Sequence, residues 1–283
     1  MKLNKSRRNE KKGNVRSSMQ LECLESRELM AADFYPAQGA TSASVTGDFN
    51  GDGYADIAVG QIDQNGGHVK VHYGSENGVS PYGWISRGEN TGPNDRFGAS
   101  LAVGDFNGDG VDDLAIGAPG RKLFSWAGLP FFAENAGAVE VFYGSSWGLM
   151  PEASMVLTQS SFLASSIGSG DQFGFSIAAG DFDNDGYEDL AIGVPGEDLH
   201  PFARNVGEVE IIYGSQSGLS DVRHKRLTQS SISRSVSQNG DLFGYSLAVG
   251  DFNGDGFDDL AIGVPKEDVL NNTRKDAGAV DIV

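Results

Sequence analysis

The chain has 283 residues, of which 39% are hydrophobic and 40 are glycine, and its formal net charge is −18. The hydrophobic content excludes a disordered chain, and the absence of a Gly-x-y period excludes a collagen. The acidic charge argues against nucleic acid as a partner and suits multivalent cations. Cys23 is the single cysteine, so neither a disulfide nor a thiolate metal cluster is expected.

We predict that residues 1–37 form a basic, disordered targeting segment. Residues 1–33 carry eight Lys or Arg and five Asp or Glu, a net charge of +3, which leaves −21 on the remainder. The segment lacks the apolar stretch of an ordinary signal peptide, and no apolar run in the chain reaches the length of a transmembrane helix. Its end, LECLESRELMAADF, resembles the LEPR-XLL segment near the start of large exported bacterial proteins, with Ser26 in place of the usual proline. This resemblance implies an extracellular or cell-surface location, and the alternative is a disordered tail that matches by chance.

From about residue 40 the chain consists of four copies of one unit. A complete copy contains an apolar run, an acidic loop, a second apolar run, an alternating run and a looser fourth run. In the second copy these are FGASLAVG, GDFNGDG, DLAIGAP, GAVEVFYG and SMVLTQ. Short runs rich in Val, Ile, Phe and Tyr, bounded by Gly, Pro, Asn and Ser, predict strands rather than helices. We label these strands A to D within each copy.

Four short strands in each unit predict an all-β fold, a β-propeller built from four-stranded antiparallel blades. The propeller domain covers residues 38–283. Its repeats fall at about 39–90, 91–165, 166–235 and 236–283. The fourth repeat is incomplete, because its GAVDIV stops where the other copies continue with Tyr-Gly. We therefore predict a partial propeller, a fragment of a longer protein with an exposed sheet edge.

The recurring order of FG, then DxNxDGxxD, then GAP or GVP resembles the FG-GAP repeat of integrin α-subunit β-propellers and related bacterial proteins. The resemblance covers residues 39–283, although the first repeat lacks both the FG and the GAP. It implies a calcium-binding propeller that acts in adhesion or recognition. It also implies that partners bind on the face opposite the calcium loops.

The acidic loops place a carboxylate or amide at positions 1, 3, 5 and 9, with a backbone carbonyl available at position 7. Calcium takes about six to eight such oxygen ligands, whereas magnesium requires a tighter octahedron and gives up water reluctantly. We predict four structural Ca²⁺ ions, each fastening one hairpin between strands A and B. Position 12 is apolar and not the Glu of an EF-hand, which excludes that module. The alternative is an ordinary Asp/Asn/Gly turn. The predicted ligands are Asp48, Asn50, Asp52, Tyr54, Asp56, Asp105, Asn107, Asp109, Val111, Asp113, Asp181, Asp183, Asp185, Tyr187, Asp189, Asp251, Asn253, Asp255, Phe257 and Asp259.

A partner surface is predicted on the other side of the blades. Because antiparallel strands alternate in direction, the A–B and C–D connections leave one face, and the B–C and D–A connections leave the other. The B–C connection of the second repeat contains four large aromatic residues, which are typical of interaction surfaces: Phe124, Trp126, Phe131 and Phe132. We predict that an extracellular protein or polysaccharide binds there. The alternative is that this connection folds over as a plug and buries its aromatic side chains.

The sequence offers few candidates for catalysis. GSSWG matches the GxSxG nucleophile pattern at Ser146, but the aligned GSENG and GSQSG carry other residues there, so a turn is predicted. His68 and His72 share one face of strand C and form either a zinc pair or, as we favour, a solvated polar face. We therefore predict a protein without enzymatic activity. The alternatives are a non-catalytic propeller of a larger extracellular enzyme and a propeller polysaccharide lyase or hydrolase.

Overall fold

The fold consists of antiparallel sheets that follow one another along the chain. The computed structural model describes residues 43–80, 84–85, 92–125, 131–151, 154–162, 167–199, 203–232, 237–268 and 274–283. The predicted targeting segment, residues 1–37, lies outside these ranges. Within them the all-β prediction is confirmed.

The first two sheets each contain four strands in the order A to D. The first sheet is formed by β1 (Ser44–Gly47), β2 (Asp56–Gln61), β3 (His68–His72) and β4 (Trp84–Ile85). The second sheet is formed by β5 (Ser100–Gly104), β6 (Asp113–Ala118), β9 (Ala138–Phe142) and β10 (Met155–Leu157). Between β6 and β9 the chain forms a separate hairpin of β7 (Leu123–Ser125) and β8 (Phe131–Ala133).

The third sheet repeats this order, and the fourth contains strands A to C. The third sheet is formed by β11 (Ser176–Gly180), β12 (Asp189–Val194), β13 (Glu208–Ile212) and β14 (His224–Leu227). The fourth is formed by β15 (Ser246–Gly250), β16 (Asp259–Val264) and β17 (Ala279–Ile282). A 3-10 turn (Gln159–Ser161) follows β10, and the short helix α1 (Gln229–Ile232) follows β14. The prediction of four-stranded antiparallel blades, with the last one incomplete, is therefore confirmed.

Strand B lies inside each sheet and sets the register of the acidic loop. Every residue of β6 and β12 is buried, which explains the continuous apolar run that follows the first Asp. Each acidic loop joins a glycine that ends strand A to the aspartate that begins strand B, and the two residues face each other. These pairs are Gly47–Asp56, Gly104–Asp113, Gly180–Asp189 and Gly250–Asp259. All four loops therefore begin and end in the same register.

Neighbouring sheets pack face to face and share apolar cores. One core combines Phe49 and Val69 of the first blade with Leu114 of the second. Equivalent cores join the second sheet to the third and the third to the fourth. The phenylalanine at position 2 of the acidic loop differs in burial between the second and fourth blades. Phe106 is fully buried, whereas the equivalent Phe252 is 53% exposed. Burial of this phenylalanine therefore comes from the sheet that follows it.

The glycines of the FG and GAP motifs allow neighbouring sheets to approach closely. A Cβ on Gly117 would lie 2.3 Å from the carbonyl oxygen of Gly174 in the next sheet. Gly174 itself has a φ of +81°, a conformation that favours glycine. Beside this contact, Ser100 donates its hydroxyl hydrogen to the same carbonyl oxygen at 2.7 Å. The motif residues are therefore packing residues between blades.

Candidate metal loops and an aromatic hairpin

The four acidic loops share one backbone conformation. In the second loop, the carboxylate of Asp105 accepts hydrogen bonds from the N–H groups of Asp109 at 3.1 Å and Gly110 at 2.8 Å. Gly110 has a φ of +83°, and the glycine at this position has a positive φ in every loop. The same pair of bonds recurs at Asp48, Asp181 and Asp251. The local sequence therefore shapes the loop around its first aspartate.

The residues at positions 3, 5 and 7 are linked to one another. The side-chain oxygen of Asn107 accepts the N–H of Asp109 at 2.9 Å, and Asp109 in turn accepts the N–H of Val111 at 2.9 Å. Equivalent bonds form in the first and fourth loops. In the third loop the N–H of Tyr187 bonds to Asp185 at 3.1 Å. The side chains predicted as ligands at positions 3 and 5 are therefore held by the backbone of the loop itself.

The aspartate at position 9 has a second role that the sequence did not reveal. Asp113 is fully buried, and its two carboxylate oxygens accept the N–H of Phe106 at 2.9 Å and of Gly144 at 2.8 Å. Gly144 follows strand C, so this carboxylate joins three strands of the sheet. Asp56 and Asp189 make the same two bonds. The recurring Gly after Tyr at the end of strand C is the signal in the sequence for this contact.

Burial makes these carboxyl groups difficult to ionise. Burial, reinforced by the charges of Asp105 and Asp109, raises the pKa of Asp113 to about 7. The pKa of Asp189 is raised to about 7 and that of Asp56 is also raised, again mainly by burial. A bound cation would favour the ionised carboxylates and offset this cost. The oxygen-only donor set, with its buried carboxylates, therefore fits a hard divalent ion such as Ca²⁺.

The third loop gathers its carboxylates most closely. Ligand oxygens of Asp181, Asp183 and Asp189 lie within 4.8 Å of one another, the one such group among the described residues. The other three loops carry Asn at position 3. Arg223 also reaches this loop: its Nη2 lies 2.8 Å from Asp183 Oδ2, and its Nη1 lies 3.3 Å from Asp185 Oδ2. The third loop thus combines an extra carboxylate with a guanidinium from the same blade.

Contacts between connections define the two faces of the blades. The turn after strand C lies beside the acidic loops, since Ser145 N–H bonds to Phe49 O at 3.3 Å. We call this side the loop face. At the other end, Glu134 from the B–C connection accepts the N–H of Gly170 from the D–A connection at 2.8 Å. We call this side the opposite face, and it carries the hairpin of β7 and β8.

Two aromatic side chains lie exposed on that hairpin. Phe124 and Phe132 are direct partners across the strands, with ring centroids 5.2 Å apart in an edge-to-face arrangement. They are 43% and 59% exposed, so neither is buried as a plug. Lys122 lies over the Phe132 ring at 4.6 Å and forms an ion pair with Glu134. Of the other two predicted surface residues, Phe131 belongs to β8 without a described side chain, and Trp126 lies outside the described residues.

The remaining sequence candidates occupy structural positions. Ser146 lies in a turn, as predicted, and the neighbouring Ser145 bonds through its hydroxyl to Gly148 O at 2.7 Å. Trp147 in the same turn is 88% exposed on the loop face, a feature that the sequence did not single out. His68 bonds to Asp63 and Gln61, whereas His72 bonds to Ser80 O. The two histidines therefore have separate partners.

The repeated sheets and their acidic loops define a protein built from β-propeller blades. An FG-GAP repeat model matches residues 97–142, 173–211 and 243–283, and an FG-GAP-like repeat model matches residues 48–116. The chain is an FG-GAP repeat protein. No helix in the described part of the chain has the length and apolarity needed to span a bilayer.

Several curated proteins share this sequence region. Integrin alpha-4 of Xenopus laevis is 36% identical over 183 residues, which cover 63% of this chain and 15% of the integrin. Phosphatidylinositol-glycan-specific phospholipase D of Rattus norvegicus is 33% identical over 174 residues, covering 61% of this chain and 19% of the phospholipase. The chain thus spans less than a fifth of either relative. Among solved structures, rhamnogalacturonan lyase YesW matches 80% of this chain and 41% of its own, with 18% identity and a TM-score of 0.44.

Proposed function

We propose that this chain is a calcium-stabilised recognition module, located outside the cell or at its surface, that binds a protein or polysaccharide without catalysing a reaction. The exposed Phe124–Phe132 pair on the opposite face is the observation that carries this proposal. The acidic loops support the calcium-stabilised part of the proposal, because four loops of one conformation join strands A and B. Similarity to integrin alpha chains supports an extracellular role and a protein partner.

The aromatic pair suits a flat or apolar partner group. An edge-to-face pair contributes about 0.5–1.5 kcal/mol, which helps to hold the two rings of the hairpin in place. Because β7 and β8 are paired, both rings are presented on a fixed backbone. Lys122 and Glu134 next to the rings provide hydrogen-bonding groups for the polar edge of a sugar or peptide. The corresponding connection of the third blade, residues 195–207, is shorter than residues 119–137. Among the described residues, the hairpin therefore distinguishes the second blade.

The test compares two exposed aromatic positions on opposite faces. Phe124→Ala/Phe132→Ala should reduce retention on immobilised glycans or matrix proteins by at least about tenfold, because the contact area is removed. Its thermal midpoint should change little, since both side chains are exposed. Trp147→Ala, on the loop face, is the matched control and should bind as the unmodified chain does. Full binding by the double variant would overturn the proposed surface, and loss of binding in Trp147→Ala would move it to the loop face.

A second candidate is a non-catalytic propeller within a larger extracellular enzyme. Similarity to phosphatidylinositol-glycan-specific phospholipase D favours it, because the match covers only a small part of that protein. In that setting the same hairpin would position the enzyme on its substrate. Incubation of the chain with acidic polysaccharides, followed by detection of new chain ends, should show no turnover. Turnover abolished by a substitution on the opposite face would overturn the proposal of a non-enzymatic protein.

A further inference from the structure

The third acidic loop differs from the other three in its charge. Position 3 is Asp183, whereas the equivalent residues are Asn50, Asn107 and Asn253. The third loop therefore holds four aspartates at the predicted ligand positions, and each of the others holds three. With no other change it would be the most negative of the four loops and, for that reason, the strongest calcium site.

Arg223 is anchored over this loop by several contacts. Its Nη2 bonds to Asp183 Oδ2 at 2.8 Å, and its Nη1 bonds to Gly214 O at 3.1 Å. Nη1 also lies 3.3 Å from Asp185 Oδ2, and the guanidinium carbon lies 5.5 Å from the centre of the Tyr213 ring. The backbone is fixed as well, since Tyr213 N–H bonds to Arg223 O at 3.0 Å. The guanidinium is thus held in place on the loop.

The extra carboxylate and the arginine occur in the same blade. Strand register aligns Leu227 with Leu157 and Ile85, because each faces the first valine of its strand C. Four positions earlier, the third blade has Arg223, whereas the sequence of the other two has Ala153 and Pro81. Neither of those residues carries charge. Counting only the predicted ligand positions and Arg223, the formal charge at the third site is −3, the same as at each of the other sites.

We propose that Arg223 is a built-in counter-ion that weakens calcium binding at the third loop and holds this loop in shape when no ion is bound. This inference rests on the proposed calcium function of the loops. A Ca²⁺ ion at this loop needs Asp183, whose carboxylate already bonds to the guanidinium. The ion must therefore either displace Arg223 or bind beside a fixed positive charge, and both reduce affinity. The third loop should be the weakest of the four calcium sites.

The variant Arg223→Gln, made in the full chain, tests both the weakened calcium binding and the stabilisation of the ion-free loop. Calorimetric titration with Ca²⁺, together with native mass spectrometry to count bound ions, should show one weak and three stronger sites in the unmodified chain. In Arg223→Gln the weak site should tighten by about tenfold, with the other three unchanged. Without calcium, the variant should melt at a lower temperature than the unmodified chain, because its four aspartates repel one another. Circular dichroism at saturating calcium checks that the variant is folded.

Two further variants sharpen the assignment. Asn107→Asp gives the second loop a fourth carboxylate without a guanidinium, and its calcium affinity should rise by a similar factor. Asp183→Asn removes the main partner of Arg223. In a chain that carries Asp183→Asn, the further substitution Arg223→Gln should therefore change calcium affinity much less than it does in the unmodified chain. Unchanged or weaker calcium affinities in Arg223→Gln would overturn the role of Arg223 and leave the calcium function intact. An unmodified chain that binds no calcium would overturn both.

Discussion

The two faces of the blades compensate buried carboxylates in different ways. On the loop face, Asp113 receives backbone N–H groups, and its charged neighbours are other carboxylates. On the opposite face, Glu197 accepts a hydrogen bond from Gln159 Nε2 at 2.6 Å and lies 3.7 Å from Arg226 Nη2. Arg226 also pairs with the buried Glu208. Asp113 is thus held by backbone donors, whereas Glu197 is held by a side-chain amide and lies near a guanidinium.

The faces also differ in how much they vary between blades. The four loops of the loop face share their length and hydrogen bonds, whereas the B–C connections differ, with a hairpin in the second blade only among the described residues. A surface repeated in every blade suits a structural role, and a surface found in one blade suits recognition. The bond from Gln159 to Glu197 links the second blade to the third, and Gln229 bonds to Glu267 in the same way. On the opposite face, neighbouring blades are therefore linked by hydrogen bonds between side chains.

Calcium removal should produce the largest change and should act on the loop face alone. At about 10 mM Ca²⁺, sites with dissociation constants of about 10⁻³–10⁻⁴ M each contribute about 1.4–2.7 kcal/mol to the free energy of unfolding. EDTA should therefore lower the thermal midpoint by roughly 10 °C or more. Calorimetry with Mg²⁺ in place of Ca²⁺ is the control and should restore little. An unchanged midpoint after chelation would show that the loops need no ion.

Two single substitutions in the second loop, each of an aspartate by asparagine, should separate structural hydrogen bonding from ion binding. Asp113→Asn places an amide NH₂ against one of two buried backbone N–H groups and should cost about 1–3 kcal/mol even in EDTA. Asp109 is exposed, so Asp109→Asn should be nearly neutral in EDTA and destabilising only in calcium. Urea denaturation of both variants, with and without calcium, measures the loss of stability from hydrogen bonding and the loss from ion binding. Equal losses for the two variants in EDTA would contradict the structural role of Asp113.

The sequence predicts most of the loop face and little of the opposite face. Repetition aligns the strands, and the spacing of the aspartates identifies the loops, because both are local properties of the chain. The second role of Asp113 depends on Gly144, which is close only after strand C has paired with strand B. Arg223 reaches Asp183 across the sheet in the same way. Such contacts arise from tertiary structure, so the repeat pattern marks Gly144 as recurrent without showing which group it contacts.

The hairpin of β7 and β8 shows a different limit of prediction from the sequence. Its aromatic residues identify the segment as unusual, and the sequence leaves open whether they are exposed or buried. That outcome depends on the pairing of Phe124 with Phe132, which directs both rings to the same side. Similarly, GSSWG draws attention to Ser146 through a motif, whereas exposure singles out Trp147. Burial is set by the neighbouring blades and not by the local sequence.

The smallest expected effect is a pH dependence that belongs to the opposite face. Burial raises the pKa of Asp171 to about 6, and burial together with the charges of Glu208 and Asp171 raises that of Glu197. A carboxyl group whose pKa is raised on folding stabilises the protein at low pH, and this contribution is lost as the pH rises through the folded-state pKa. With calcium saturating the loops, the free energy of unfolding should therefore fall by at least about 1 kcal/mol between pH 5 and 8. Urea denaturation at a series of pH values measures this slope.

Glu197→Gln should flatten that slope, because the glutamine keeps an oxygen acceptor for Gln159 and no longer ionises beside Asp171 and Glu208. Asp109→Asn on the loop face is the control and should leave the slope unchanged at saturating calcium. If Glu197→Gln kept the full pH dependence while Asp109→Asn removed it, the titrating carboxylates would lie in the loops. The two faces would then respond to protons in the same way, and the contrast between their buried carboxylates would fail.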